Sequence, residues 1–232
     1  MIYRKNQIKA VIFDMDDTLY PEKQFVLSGF RAVSGWVEEN LGFSSSQTYS
    51  QLESIFQEDS QGKIFNHFLA MKNVSDEAFL TTMVECYRSH YPNLEPYPEV
   101  RNLLEELSSL YHIGLISDGY LETQNNKWQA LGLQKYFDTV VFSDQWGKKF
   151  WKPHKRPYLE ALRRLEIEGI EAVYVGDNPN KDFFGANQLG IYTIMVVRKQ
   201  GVYARAMPPA PAYQPAMSIS DLRQLPTILQ SI

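Results

Sequence analysis

Three short apolar runs in this chain each end on acids or hydroxyls. Ala10-Val-Ile-Phe13 leads into Asp14-Met-Asp16-Asp17-Thr18, Ile113-Gly-Leu-Ile116 into Ser117-Asp118-Gly119, and Ala172-Val-Tyr-Val175 into Gly176-Asp177-Asn-Pro-Asn-Lys-Asp182. Carboxylates at alternate positions directly after a strand lie near one another in space. They attract a divalent cation; without one they repel, and one of them takes up a proton. Donors that are all oxygen suit a hard cation such as Mg²⁺. Beside such a cation one carboxylate serves as nucleophile and its neighbour as proton donor, which suits the cleavage of a phosphate ester. Ser117 offers a hydrogen bond to a phosphoryl oxygen, and Gly119 lets backbone amides approach closely. Each cluster also has a plainer reading: a solvated turn at Asp14–Asp16, a turn residue or cap at Ser117, and an Asx-turn with a helix-start acid at Asp177 and Asp182. In an open parallel sheet, ligands bind at the carboxyl ends of the strands. The expectation is therefore one site, with Asp14, Asp16 and Asp177 converging on a single magnesium.

The elements that must position these residues follow from periodicity. Residues 10–13 read as a buried strand by length and β-branching. Residues 22–91 change character and read as mostly helical. Val26, Phe30, Val33, Val37 and Leu41 recur at steps of three or four, and Gly42 stops that helix. Further helices are expected over roughly 46–58 and 61–72. A fourth starts near Ser75-Asp-Glu77 and turns Phe79, Met83, Cys86, Tyr87 and His90 inward. After Pro92 strands and helices alternate. Pro98 opens a helix with Val100, Leu103, Leu104, Leu107 and Leu110 facing inward. A strand at 112–116, a helix over 120–131 closed by Gly132, and a strand at Thr139–Phe142 come next. A basic aromatic loop (Trp146–His154), a helix from Pro157, a strand at 172–175, a helix at 180–189 and a strand at 191–197 complete the pattern. Such alternation implies parallel pairing with right-handed crossovers. The run 207–215, rich in proline, is expected as extended surface chain, with a Pro-rich protein ligand as the alternative. Residues 218–231 read as a closing helix.

Composition narrows the classes. The chain has 232 residues, 44% of them apolar, with 14 Tyr and 13 Phe, enough for a sizeable core. A net charge of −4 gives no basic face for nucleic acid. Arg4, Lys5 and Lys9 precede only four apolar residues, too few for a signal peptide's roughly 7–15. No run reaches the roughly 18 apolar residues of a membrane span. The single cysteine, Cys86, makes no internal disulfide and fits a reducing compartment. A cytoplasmic protein without membrane or nucleic-acid partners is expected.

In order along the chain, Asp14-Met-Asp-Asp-Thr-Leu, Ser117-Asp-Gly, Lys152-Pro and Gly176-Asp-Asn-Pro-Asn-Lys-Asp182 resemble the four motifs of the haloacid dehalogenase-like hydrolases. The stretch 119–133 is similar to the helix after the second motif in subfamily I. The similarity covers residues 8–20 and 94–197. It implies a Rossmann-like α/β core over 1–20 and 92–232, a parallel sheet with helices on both faces. It also implies a helical cap of about four helices inserted at 21–91. Asp14 would be the nucleophile and a Mg²⁺ ligand. Asp16 would be the general acid and then the base, with its backbone carbonyl on the metal. Thr18 would support the loop; Thr18, Ser117, Asp118, Gly119 and Lys152 would surround the substrate phosphate. Lys152 would neutralise charge, Asp177 would ligate Mg²⁺, and Asp182 would orient Lys152 or a metal-bound water. One departure stands out: the loop between Gly147 and Lys152 is long and basic, so Lys148 and Lys149 compete with Lys152 for its role; the resemblance favours Lys152, since Pro153 follows it and Tyr158 falls six residues later, where the family has an aromatic.

Arg31, His67, Arg88 and His90 are candidate specificity residues of the cap, and residues 20–24 its hinge. The resemblance implies a Mg²⁺-dependent phosphatase for a small phosphomonoester, a sugar phosphate or nucleoside monophosphate, acting as a monomer or homodimer. The alternatives are a phosphomutase, a 2-haloacid dehalogenase, which Asp16 disfavours, and a non-catalytic binding protein on the same fold.

Overall fold

The computed structural model describes residues 8–58 and 62–232. Arg4, Lys5 and the first residue of the expected 61–72 helix lie outside them. The chain divides into two compact units: Met1–Glu22, Glu95–Gln124 and Leu131–Ile232 in one, Lys23–Leu94 and Asn125–Ala130 in the other.

The first unit is built on a six-stranded, wholly parallel sheet. Its strands are β1 (Ala10–Phe13), β2 (His112–Ser117), β3 (Thr139–Phe142), β4 (Ala172–Gly176), β5 (Tyr192–Val196) and β6 (Met217–Ile219), in the spatial order β3-β2-β1-β4-β5-β6. Every residue of β1 and β4 is buried, so both read as unbroken apolar runs rather than alternating ones. On one face Ala10, Ile12, Ile116, Ala172 and Tyr174 pack with Tyr158, Ala161, Leu162 and Leu165 of a helix at Arg156–Leu165, and with Phe183 and Ala186. A helix at Val100–Ser108 buries Val100, Leu103, Leu104 and Leu107 and packs on β2. Leu110 does not join them: the helix ends at Ser108, and Leu110 is 65% exposed in the turn beyond.

Two other expectations change. The helix foreseen at 180–189 is only Phe184–Asn187. The residues before it are held in turns, with the amides of Lys181 and Asp182 donating to the Asn178 carbonyl. The closing helix is shorter too, Leu225–Ser231, because Met217–Ile219 pairs with β5 as a sixth strand. A three-residue edge strand carries too little periodicity to stand out from a loop. The 207–215 run is irregular and largely exposed, with a helical turn at Pro211–Tyr213 that stacks Tyr213 on Phe184 at 4.7 Å.

The second unit is helical. It takes in most of Glu22–Leu41, then Ser45–Glu58, Ile64–Met71 and Glu77–Ser89, with residues 125–130 of the helix Leu121–Leu131. Phe30, Val33, Val37, Leu52, Phe68 and Met83 form its core, with Phe79, Cys86 and Tyr87 against it. Asp76 caps the last of the four, accepting the Ala78 amide at 2.8 Å.

Packing around the loop after β3 is tight. A Cβ on Gly185 would lie 2.6 Å from the Pro153 carbonyl and 2.9 Å from the Tyr158 ring. Alanine gains about 0.5–1 kcal/mol of helix preference over glycine, and overpacking costs about 1–3 kcal/mol. The fixed carbonyl decides the sign, so Gly185→Ala is expected to destabilise the fold by about 1–2 kcal/mol. Urea unfolding measures it; a gain in stability would show that the loop yields.

Candidate active site

Parallel register gathers the site. Phe13 pairs with Leu115 on one side and Val175 on the other, so β1, β2 and β4 end within two residues of one another. The Asp14 amide continues the ladder, donating to the Val175 carbonyl at 2.8 Å. Carboxylate oxygens of Asp14, Asp177 and Asp182 lie within 4.8 Å of one another, and all three residues are buried. The Lys152 ammonium is wholly buried and donates to Asp14 Oδ1 at 2.5 Å, Asp182 Oδ1 at 2.8 Å and the Tyr174 hydroxyl at 2.9 Å. Its backbone amide donates to Asp118 Oδ1 at 3.1 Å, which also accepts the Ser143 hydroxyl at 2.5 Å. Asp182 is fixed by the Asn178 amide on its Oδ2 at 2.8 Å, and Tyr158 donates to its carbonyl at 2.6 Å. A side chain on Gly176 would come within 2.5 Å of that same Oδ2, so glycine makes room for the acid to fold back.

Electrostatics follow from this crowding. Burial, helped by Asp182 and opposed by Lys152, pushes the Asp14 carboxyl up to about 6. Burial, then Asp182 and Asp14, push Asp177 well above the carboxylate range. At Asp182 burial works the same way but Lys152 and Lys181 outweigh it, and the acid lies below its ordinary value. Lys152 is desolvated, yet Asp14 and Asp182 hold it well above the usual ammonium. Buried oxygen donors carrying more negative charge than their ammonium partner neutralises fit a hard dication.

The other expected residues fall as follows. The Asp16 carboxylate accepts the Tyr20 hydroxyl and is not part of the three-acid cluster; Asp182 is its third member. Thr18 Oγ1 is buried without a hydrogen bond among the described residues, while the Thr18 carbonyl accepts Arg198 Nη2 at 2.9 Å. Ser117 donates to Gln124 Oε1 at 3.2 Å. Gly119 has φ +133, and a Cβ there would meet Gln124 Nε2 at 2.1 Å. Lys148 and Lys149 are exposed, their ammoniums over the Trp151 and Phe150 rings at 5.6 and 5.0 Å. In the helical unit, Arg31 lies over Tyr49, and Arg31, His67 and Arg88 are exposed. His90 is half-buried, with Nδ1 2.6 Å from the Tyr87 carbonyl.

Several neighbours escaped the sequence reading. Asp17 takes a left-handed φ of 51° and accepts the amides of Glu22 at 2.9 Å and Val202 at 2.8 Å. Arg198 pairs with Glu99 at 2.7 Å and stacks 3.7 Å from the Tyr97 ring centre. Tyr174 lies inside β4, where sequence alone offers no chemical signal, and Lys181 lies in the 176–182 run, which is its available signal.

The raised Asp14 pKa gives a pH signature. The carboxyl ionises near 4 when unfolded and near 6 when folded, so its contribution is complete below pH 4 and is lost as pH rises through 6. With chelator present, the stability of the wild type relative to Asp14→Asn is expected to fall between about pH 4 and 6. Melting temperatures across that range test it; a flat difference would place Asp14 in an ordinary environment.

Known proteins resemble this chain along most of its length. The family model described as haloacid dehalogenase-like hydrolase matches residues 11–196. A glyceraldehyde 3-phosphate phosphatase of Methanopyrus kandleri is 30% identical over 97% of this chain and 98% of its own length. One from Methanocaldococcus jannaschii is 31% identical over 82% of this chain and 86% of its own. A phosphatase structure from Thermococcus onnurineus superposes with a TM-score of 0.62 at 26% identity, covering 96% of this chain and 98% of that one. A 2-haloacid dehalogenase structure from Pseudomonas syringae gives 0.64 at 26%, covering 97% and 99%. No helix among the described residues is long and apolar enough to cross a membrane. Strand-end acids, parallel sheet and relatives together make this chain a member of the haloacid dehalogenase-like hydrolase family and a hydrolase of phosphomonoesters.

Proposed function

We propose that this chain is a cytoplasmic, Mg²⁺-dependent phosphatase that hydrolyses small phosphorylated sugars through an aspartyl-phosphate on Asp14. The observation that carries the reading is the buried trio Asp14, Asp177 and Asp182 with Lys152 bonded to two of its members. Relatives support the substrate class. Besides the glyceraldehyde 3-phosphate phosphatases, they include a ribulose-1,5-bisphosphate 5-phosphatase of Halopiger xanaduensis, 28% identical over 80% of this chain and 83% of its own length. Those names point to phosphorylated sugars ahead of nucleoside monophosphates.

Asp14 and Asp177, with the Asp16 carbonyl, would hold the magnesium, which supplies Lewis-acid neutralisation of the phosphoryl oxygens. The Asp14 oxygen attacks phosphorus; an O–P bond forms as the bond to the sugar oxygen breaks. Asp16, held by Tyr20, gives its proton to that departing oxygen. Asp16 then takes a proton from water as the water oxygen attacks phosphorus, which frees Asp14 and releases orthophosphate. Lys152 favours the ionised form of Asp14 for the attack and again as it is released, and Asp182 and Tyr174 hold Lys152 in place. Ser117, with Thr18, Asp118 and Gly119 around it, borders the phosphate. The helical unit is the counterpart of the family's cap, and lids of that kind commonly exclude water.

The test is orthophosphate release from a panel of sugar phosphates and nucleoside monophosphates, with halide release from 2-chloropropionate as a second arm. Sugar phosphates are expected to turn over with Mg²⁺ and not with chelator. Asp14→Asn is expected to lose on the order of 10⁴-fold or more in kcat. Lys152→Ala should damage turnover far more than Lys148→Ala. Undiminished turnover in Asp14→Asn would reject the nucleophile, the reverse lysine order would move the Lys152 role, and halide release would favour the dehalogenase.

A further inference from the structure

We propose that Lys181 is a phosphate-binding residue of this site, donating directly to an oxygen of the substrate's phosphoryl group and of product orthophosphate. The inference rests on the phosphatase reading above and deepens it.

The argument starts from how the cations are already committed. A lysine ammonium has three donors and no acceptor. Those of Lys152 go to Asp14 Oδ1, Asp182 Oδ1 and the Tyr174 hydroxyl, so none remains for an incoming oxygen. The Ser117 hydroxyl is likewise directed at Gln124 Oε1. Yet a phosphoryl group arrives with two or more negative charges and several acceptor oxygens.

Lys181 is the ammonium with donors to spare. Its nearest carboxylate oxygen is Asp118 Oδ2 at 3.8 Å, an ion pair longer than a hydrogen bond. Asp118 Oδ2 itself has no hydrogen bond among the described residues. The backbone of Lys181 is fixed, its amide donating to the Asn178 carbonyl at 3.2 Å in the turn that also places Asp182. The charge lies close enough to pull on Asp14, Asp177 and Asp182. The Lys181 side chain is 31% exposed where that of Lys152 is 0% exposed, so a ligand entering from solvent reaches it. Lys148 and Lys149, the cations singled out in the sequence, instead lie over neighbouring aromatic rings.

A purely structural Lys181, balancing Asp118, would behave differently: its loss would lower stability and leave phosphate affinity alone. The experiment compares the full-length wild type with Lys181→Met, Lys181→Gln and Lys181→Arg. It reads the inhibition constant of inorganic phosphate, kcat and KM for the best substrate of the panel, and the melting temperature. Loss of a charge-assisted contact is expected to raise both the phosphate inhibition constant and KM by about tenfold or more in the Met and Gln variants. Their kcat should change less, and Lys181→Arg should recover most of the affinity. Active Met or Gln variants with wild-type phosphate inhibition and KM would overturn the proposal while leaving the phosphatase reading intact. A wild type that neither hydrolyses any phosphorylated substrate nor is inhibited by orthophosphate would overturn both.

Discussion

Like charges buried side by side are the constraint around which this molecule is organised. Two carboxylates 4.8 Å apart repel by about 3–4 kcal/mol at an effective dielectric near 20, before any cost of desolvation. The fold brings three together at the ends of its central strands and surrounds them with compensating groups. Lys152 bonds to two of them, an amide from Asn178 binds the free oxygen of Asp182, and the Tyr174 hydroxyl takes the last donor of the lysine. Removing one partner of such a buried pair commonly costs about 3–5 kcal/mol, whereas the intact set stays marginal. The crowding is therefore a poor way to gain stability and a good way to hold a nucleophile near the point of ionisation.

A second set of contacts positions the acids without touching them. Asp17 sits in a left-handed conformation and receives two backbone amides, one from the start of the first helix and one from the segment after β5. Arg198 reaches the Thr18 carbonyl while stacked on Tyr97 and paired with Glu99. Strain at Asp17 and the desolvated guanidinium of Arg198 are local costs that the surrounding bonds offset. Together they fix the turn that carries Asp14 and Asp16, which precise catalysis requires.

How much could be read beforehand varies by element. The strands at 10–13 and 139–142 were legible to the residue, because a short apolar run bounded by polar turns is a local signal. The helix at 180–189 misled, since periodicity there competes with a turn whose amides converge on one carbonyl, that of Asn178. The strand at Met217–Ile219 gave no warning: two of its three residues are exposed, and its pairing with β5 is the whole reason it exists. Lys152 could be singled out from Lys148 and Lys149 by Pro153 and Tyr158. Its burial and three bonds then separate it from the exposed pair.

By itself the amino-acid order determined that acids stand at the ends of apolar strands, that the strands alternate with helices, and that a helical stretch interrupts them. Those are consequences of hydropathy and spacing along a few neighbouring residues. Only the tertiary structure decided that Asp182 joins Asp14 and Asp177, that the Asp16 carboxylate turns to Tyr20, and that Lys181 and Arg198 belong to the neighbourhood. The reason is physical: a carboxylate's direction is set by the donors it finds, and here, at Asp17, such a donor comes from Val202, 185 residues away along the chain.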